Sequence, residues 1–109
     1  MVLVIGGMAQ GQREYALARF AEKDIVMDLH QRIRDIQEDE AALAQLYAHA
    51  AAAACVVCDE VGSGVVPLER EARRFRELTG RMCCRLAREA DQVVRLCCGI
   101  PTVLKGAGA

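Results

Sequence analysis

The chain has 109 residues, a formal net charge of −1 and only 4% aromatic residues. That length supports one domain with one modest core. The near-neutral balance and the scarcity of stacking rings leave no expectation of a nucleic-acid partner or an anionic membrane surface.

Residues 2–5 (V-L-V-I) form a short β-branched run that ends in Gly6-Gly7 and read as a buried strand entering a loop. They lack the basic flank and cleavage site of a signal peptide, and no apolar stretch reaches the roughly 18 to 20 residues of a membrane span. A soluble cytoplasmic protein is therefore expected. Over residues 12–23, Leu17 and Phe20, like Tyr15 and Ala18, recur three apart, which predicts a helix. Residues 24–29 (D-I-V-M-D-L) predict a second short strand, with Asp28 at its C-terminal end. Residues 30–54 are helical in pattern, through Ile33, Ile36, Leu43, Leu46 and an alanine run. The acidic stretch 37–40 marks a helix start or a break. Residues 55–58 (C-V-V-C) predict a third strand, followed by a loop over 59–66 that contains Gly62 and Gly64.

Pro67 stands where a helix N-terminus accepts proline. The longest helix is expected over 68–90, with Leu68, Ala72, Phe75, Leu78, Met82 and Leu86 as its apolar stripe and Gly80 interrupting it. A fourth strand is expected over 92–98, a turn at Gly99-Ile100-Pro101, a short edge strand over 102–104, and a disordered tail from Gly106. Alternation of strand and helix predicts a single α/β domain over 1–105. Its expected form is a small P-loop-type three-layer sandwich, with a mostly parallel sheet of four to five strands and right-handed crossovers.

Six cysteines in so short a chain raise a disulfide or zinc framework. Their spacing opposes both. Cys55 and Cys58 point to opposite faces of a strand, and the adjacent pairs Cys83-Cys84 and Cys97-Cys98 do not converge as tetrahedral zinc ligands do. Free, mostly buried thiols are expected.

The loop after the first strand, G-G-M-A-Q-G-Q-R, has the glycine spacing of the phosphate-binding motif G-x-x-x-x-G-K-S/T. Gly6 and Gly11 take its two glycine positions and Gly7 adds freedom beside them. In such a loop, backbone N–H groups curl around a phosphate at a helix N-terminus. The lysine position is Gln12, which brings no charge. The Mg²⁺-ligating hydroxyl position is Arg13, which cannot bind a cation. Asp28, ending the second strand, has the place of the magnesium-associated acid in this architecture, and equally the place of a helix cap.

Further along, E-V-G-S-G-V-V-P begins at Glu60, and Arg73, Phe75, Arg76, Gly80, Arg81 and Leu86 punctuate the long helix ahead of A-D-Q-V and G-I-P. This run resembles, without a gap, the C-terminal half of the adenosylcobinamide kinase / adenosylcobinamide-phosphate guanylyltransferase family of cobalamin biosynthesis. The family's pattern there is N-E-V-G-x-G-I-V-P, then R-x-F-R-x-x-x-G-R-x-N-Q-x-L-A, then A-D-x-V and G-I/L-P. The resemblance implies GTP or ATP with Mg²⁺ as cofactor, a cobinamide-type ligand, and a homo-oligomer, which the family builds as a ring. It implies a nucleotide-facing role for Gly6, Gly7, Gly11, Gln12, Arg13, Glu60 and Gly62, and a metal-facing one for Asp28.

Departures from the family accompany the match. Its glycine loop reads G-G-x-x-S-G-K-S, so the lysine and hydroxyl are both replaced. Asp59 stands for Asn, and Cys83-Cys84 for Asn-Gln. The segment carrying the family's nucleotidylated histidine is missing where Lys23 passes directly to Asp24, and neither His30 nor His49 inherits that role. The expectation is a reduced homologue that binds nucleotide or phosphate with impaired or no catalysis. The alternative is a non-catalytic protomer that acts through oligomerisation. Arg73, Arg76 and Arg81 are candidates for a ligand or subunit contact, although interleaved glutamates predict a partly self-paired face.

Overall fold

A computed structural model describes residues 1–61 and 69–106. Strand β1 (Val2–Gly6) lies at the centre of a five-stranded sheet, flanked in parallel by β3 (Cys55–Asp59) and β4 (Gln92–Cys97). Strand β2 (Ile25–Val26) pairs in parallel with β3, and β5 (Ile100–Lys105) pairs antiparallel with β4, giving the order β2-β3-β1-β4-β5. Strands buried on both faces read as unbroken apolar runs, as V-L-V-I and C-V-V-C do. Leu3, Val56 and Cys58 enter one core, and Val4, Cys55 and Val57 the other. The opposed facing of Cys55 and Cys58 follows the strand period of two.

The handedness of the crossovers distributes the helices. Helix α1 (Gln12–Arg19) links β1 to β2, moving one way along the sheet. Helices α2 (Leu29–Ile36) and α3 (Glu40–Ala52), and then α4 (Arg70–Glu89), serve connections that move the other way. Right-handed crossovers in opposite directions must lie on opposite faces. Accordingly, Tyr15 and Ala16 of α1 pack in one core, while Leu29, Ile33, Leu46, Phe75 and Leu86 pack in the other. The result is the expected three-layer sandwich.

Element boundaries differ from the sequence reading for local reasons. Helix α1 ends at Arg19: Phe20 turns extended, its N–H closes on Ala16 O, and its ring packs against the α1-side core. A 3-10 turn at Glu22–Asp24 then delivers the chain to β2. That strand is only two residues long, because Asp28 adopts a left-handed φ of 51° and Leu29 already belongs to α2. The acidic stretch is a break between two helices, where Asp39 caps α3 by accepting a hydrogen bond from Ala42 N at 3.0 Å. The hairpin turn falls at Cys98-Gly99 (φ 51° and 76°), as a two-residue primed turn requires. Strand β5 therefore starts at Ile100 and carries Pro101 on the sheet edge, where proline is tolerated. Gly106 is packed, with φ 90° and no room for a Cβ against Asp91 O, so the chain is still seated there. Residues 107–109 lie outside the described residues.

Gly80 does not interrupt α4, which runs unbroken through it. A Cβ at Gly80 would meet nothing within 4 Å. Gly80→Ala is therefore expected to stabilise the fold by about 0.5–1 kcal/mol, raising Tm by about 3–6 °C. A thermal melt followed by circular dichroism checks this, and a lower Tm would mean the helix bends there in solution.

The six thiols are all free, but only Cys55 and Cys58 are buried; Cys84, Cys97 and Cys98 are exposed and Cys83 is half-buried. The thiols were expected to be mostly buried, but Cys84 lies on the outer face of α4 and Cys97 and Cys98 lie at the end of the β4–β5 hairpin. Among the described residues, no helix is long and apolar enough to cross a membrane.

Candidate functional site

The connections leaving β1 and β3 depart to opposite faces of the sheet. A crevice opens at such a switch point, beyond the carboxyl ends of the strands. Gly6 and the glycine loop form one side of it, and Asp59 and Glu60 the other. The two sides are joined directly: Glu60 N donates to Gly6 O at 2.7 Å.

Glycine is required at two of the loop positions. A Cβ on Gly6 would lie 2.7 Å from Leu96 O and 2.8 Å from Gln12 Cδ. Gly11 has φ 103°, and a Cβ there would sit 3.2 Å from Gly99 Cα. The loop is bolted to the β4–β5 hairpin through Gln10, whose Oε1 accepts from Cys98 N at 2.7 Å and whose backbone O accepts from Gly99 N at 2.8 Å.

Gln12 occupies the middle of the crevice. It is only 3% exposed. Its Nε2 donates to Gly7 O at 2.6 Å and to Asp59 Oδ1 at 3.2 Å, while its buried Oε1 has no partner. The neutral amide thus keeps the loop tied to β3 but supplies no charge. Asp28 stands at the N-cap position of α2, yet its carboxylate makes no capping bond. It faces a cavity of about 220 Å³ lined also by Ala9, Gly11, Gln12, Arg13 and Asp59. Gly11, Gln12, Arg13 and Asp28 are therefore brought together as the sequence suggested, with Arg13 exposed at the rim.

The backbone of Glu60 borders the crevice, but its side chain turns to a different cavity. Its Oε2 accepts from Arg95 Nε at 3.1 Å, and it lines a separate cavity of about 340 Å³ with Ile5, Thr79, Cys83 and Arg95. Asp59 borders both cavities. Gly62 and the rest of the loop up to residue 68 lie outside the described residues. Arg73, Arg76 and Arg81 line a broad groove of about 730 Å³ along α4, apart from the glycine loop, and Arg81 pairs with Glu77 one turn away.

No sequence signal pointed to the role of His30. This buried side chain accepts from Asp59 N through Nδ1 at 3.1 Å. An accepting Nδ1 puts the proton of the neutral ring on Nε2, which lies 3.5 Å from Asp59 Oδ2. His30 and Gln12 thus hold Asp59 from two sides. Asp59 was legible only as a replacement for Asn, not as the hub of the crevice.

The α1 N-terminus carries no side-chain cap, so its N–H groups and Arg13 favour an anion. Asp28 and Asp59 oppose a bare phosphate and suit one that carries a divalent cation. Among the described residues, no group of three or more His, Cys, Asp or Glu is placed to hold a metal ion.

Strand order, layering and a glycine turn at the switch point define a small P-loop-like α/β sandwich with Gln12 at the start of its first helix. A family model described as cobinamide kinase / cobinamide phosphate guanyltransferase matches residues 23–104, and the chain belongs to that family. The match begins at Lys23 and so leaves the glycine loop outside it. The chain is also 46% identical over 50 residues to the bifunctional adenosylcobalamin biosynthesis protein CobU of Salmonella typhimurium. The aligned stretch is 46% of this chain and 28% of that relative, so the chain covers under a third of its length.

Proposed function

We propose that the chain is a reduced member of this family that binds the phosphate end of a nucleotide, GTP or ATP with Mg²⁺, at the glycine loop and does not complete phosphoryl or nucleotidyl transfer. The observation that carries this reading is Gln12. It fills the lysine position, is buried, and ties Gly7 to Asp59 without bringing charge. The metal would supply charge neutralisation between phosphate oxygens. Asp28 and Asp59, which line the same cavity, would hold it, Gly11 and the first turn of α1 would hold the phosphate, and Arg13 would close the rim. Transfer needs positive charge focused on the moving phosphoryl group and a hydroxyl on the metal, and Gln12 and Arg13 provide neither. The link from α1 to β2 is a single 3-10 turn, which leaves no segment there for a nucleotidylated histidine. A cobinamide-type ligand would meet the neighbouring cavity at Glu60.

Calorimetric titration with GTP, with and without Mg²⁺, tests this. Binding in the micromolar range or weaker is expected, strengthened by Mg²⁺. Gln12→Lys combined with Arg13→Ser is expected to tighten it at least tenfold, about 1.4 kcal/mol. Unchanged affinity would remove the loop as the nucleotide site. The second reading, a non-catalytic protomer working through homo-oligomerisation, draws on the outer strand β5, which exposes Ile100 and Leu104. It requires a stable oligomer in sedimentation without nucleotide, and no heat on GTP addition.

A further inference from the structure

We propose that Cys58 and Cys83 form a covalent modification site: an oxidisable thiol pair that a small peroxide-class oxidant converts to a disulfide tying β3 to α4. Their sulfurs lie 3.6 Å apart, across the interface of two different elements. A disulfide needs about 2.05 Å, so closing the pair takes a shift of about 1.5 Å, within reach of side-chain rotation and a small approach of the helix. The two thiols differ in access. Cys58 is fully buried at the foot of the pair, whereas Cys83 is half-buried and lines the cavity of about 340 Å³ beside Glu60, Thr79 and Arg95. An oxidant entering that cavity meets Cys83 first.

The electrostatics agree with this division. The contact with the Cys58 sulfur holds Cys83 below the ordinary thiol range, although burial works against it. Cys83, the more accessible thiol, is the nucleophile. The Cys83 thiolate attacks one oxygen of hydrogen peroxide. The O–O bond breaks, hydroxide leaves and takes up a proton, and Cys83 becomes a sulfenic acid. The Cys58 sulfur then attacks the Cys83 sulfur. The S–O bond breaks, and its oxygen departs as water with the proton from Cys58. Each sulfur gives up one electron, and one peroxide becomes two waters. The remaining thiols do not share this geometry: Cys55 lies in the opposite core, and Cys84, Cys97 and Cys98 face solvent.

The test uses the full chain with Cys84→Ser, Cys97→Ser and Cys98→Ser, alongside the unsubstituted chain in case the triple variant folds poorly. Each is treated with hydrogen peroxide, alkylated in denaturant without reductant, digested and mapped by mass. The expected result in both is a peptide linking Cys58 to Cys83 in most molecules, reversed by dithiothreitol. With Cys58→Ala, Cys83 is expected to stop at a sulfenic acid that dimedone traps. With Cys83→Ala, the Cys58 thiol is expected to stay reduced. If Cys58 and Cys83 both remain alkylatable after peroxide, or if the link joins either to Cys55, the pair is ordinary core packing and the proposal fails.

Discussion

Leu86→Ala is expected to cost about 3 kcal/mol of stability, within the range of buried leucine truncations that leave a cavity. Leu86 is fully buried on α4, in the core that also contains Leu3, Phe75, Met82 and Val93. The central strand and the long helix on both sides of the vacancy cannot collapse without moving the sheet. A domain of this size has only about 5–15 kcal/mol in total, so Tm should fall by about 12–20 °C. Urea unfolding followed by circular dichroism measures the loss, with Leu86→Met as the volume-conserving control, expected to cost under about 1.5 kcal/mol. A loss below about 1 kcal/mol for the alanine variant would mean that α4 is not seated on the sheet as described.

Gly6→Ala is expected to be nearly as damaging, at about 2–3 kcal/mol, by the opposite mechanism. It adds one methyl group where Leu96 O and the Gln12 amide carbon already stand closer than any real Cβ contact allows. Leu96 O is backbone of the neighbouring strand and cannot swing away. Gln12 could yield only by giving up its bonds to Gly7 and Asp59. The same substitution at Gly80 is expected to stabilise, so the pair of variants separates space from helix propensity in one chain. The readout is the urea midpoint of each. A neutral Gly6→Ala would show that β1 and the loop relax apart, and that the close packing around Gln12 does not persist in solution.

The framework was legible because its signals are local. Four β-branched or cysteine-rich runs and one long apolar stripe determine the order of elements, and the reversal of crossover direction then puts the crevice beside Gly6. What escaped the sequence depended on distance in space. His30 sits in a helical pattern that says nothing of Asp59, 29 positions away along the chain. Cys58 and Cys83 carry no spacing signature, because a strand and a helix bring them together only after the sheet has formed. Gly80 misled in the other direction. Its low helix propensity was read as a break, but neighbouring turns packed through Phe75, Met82 and Leu86 carry the helix across it. The left-handed Asp28, which shortens β2, is a backbone choice that no side-chain pattern announces.

The bolt between the glycine loop and the hairpin has a thermodynamic consequence. Gln10 supplies both acceptors for the turn amides of Cys98 and Gly99, so the loop cannot rearrange without releasing the start of β5. Whatever orders the loop also rigidifies that outer strand, and by reciprocity whatever clamps the strand makes the loop easier to occupy. The two ends of this coupling meet at two exchangeable protons, the Cys98 and Gly99 amides, whose solvent-exchange rates report the state of the loop from the hairpin.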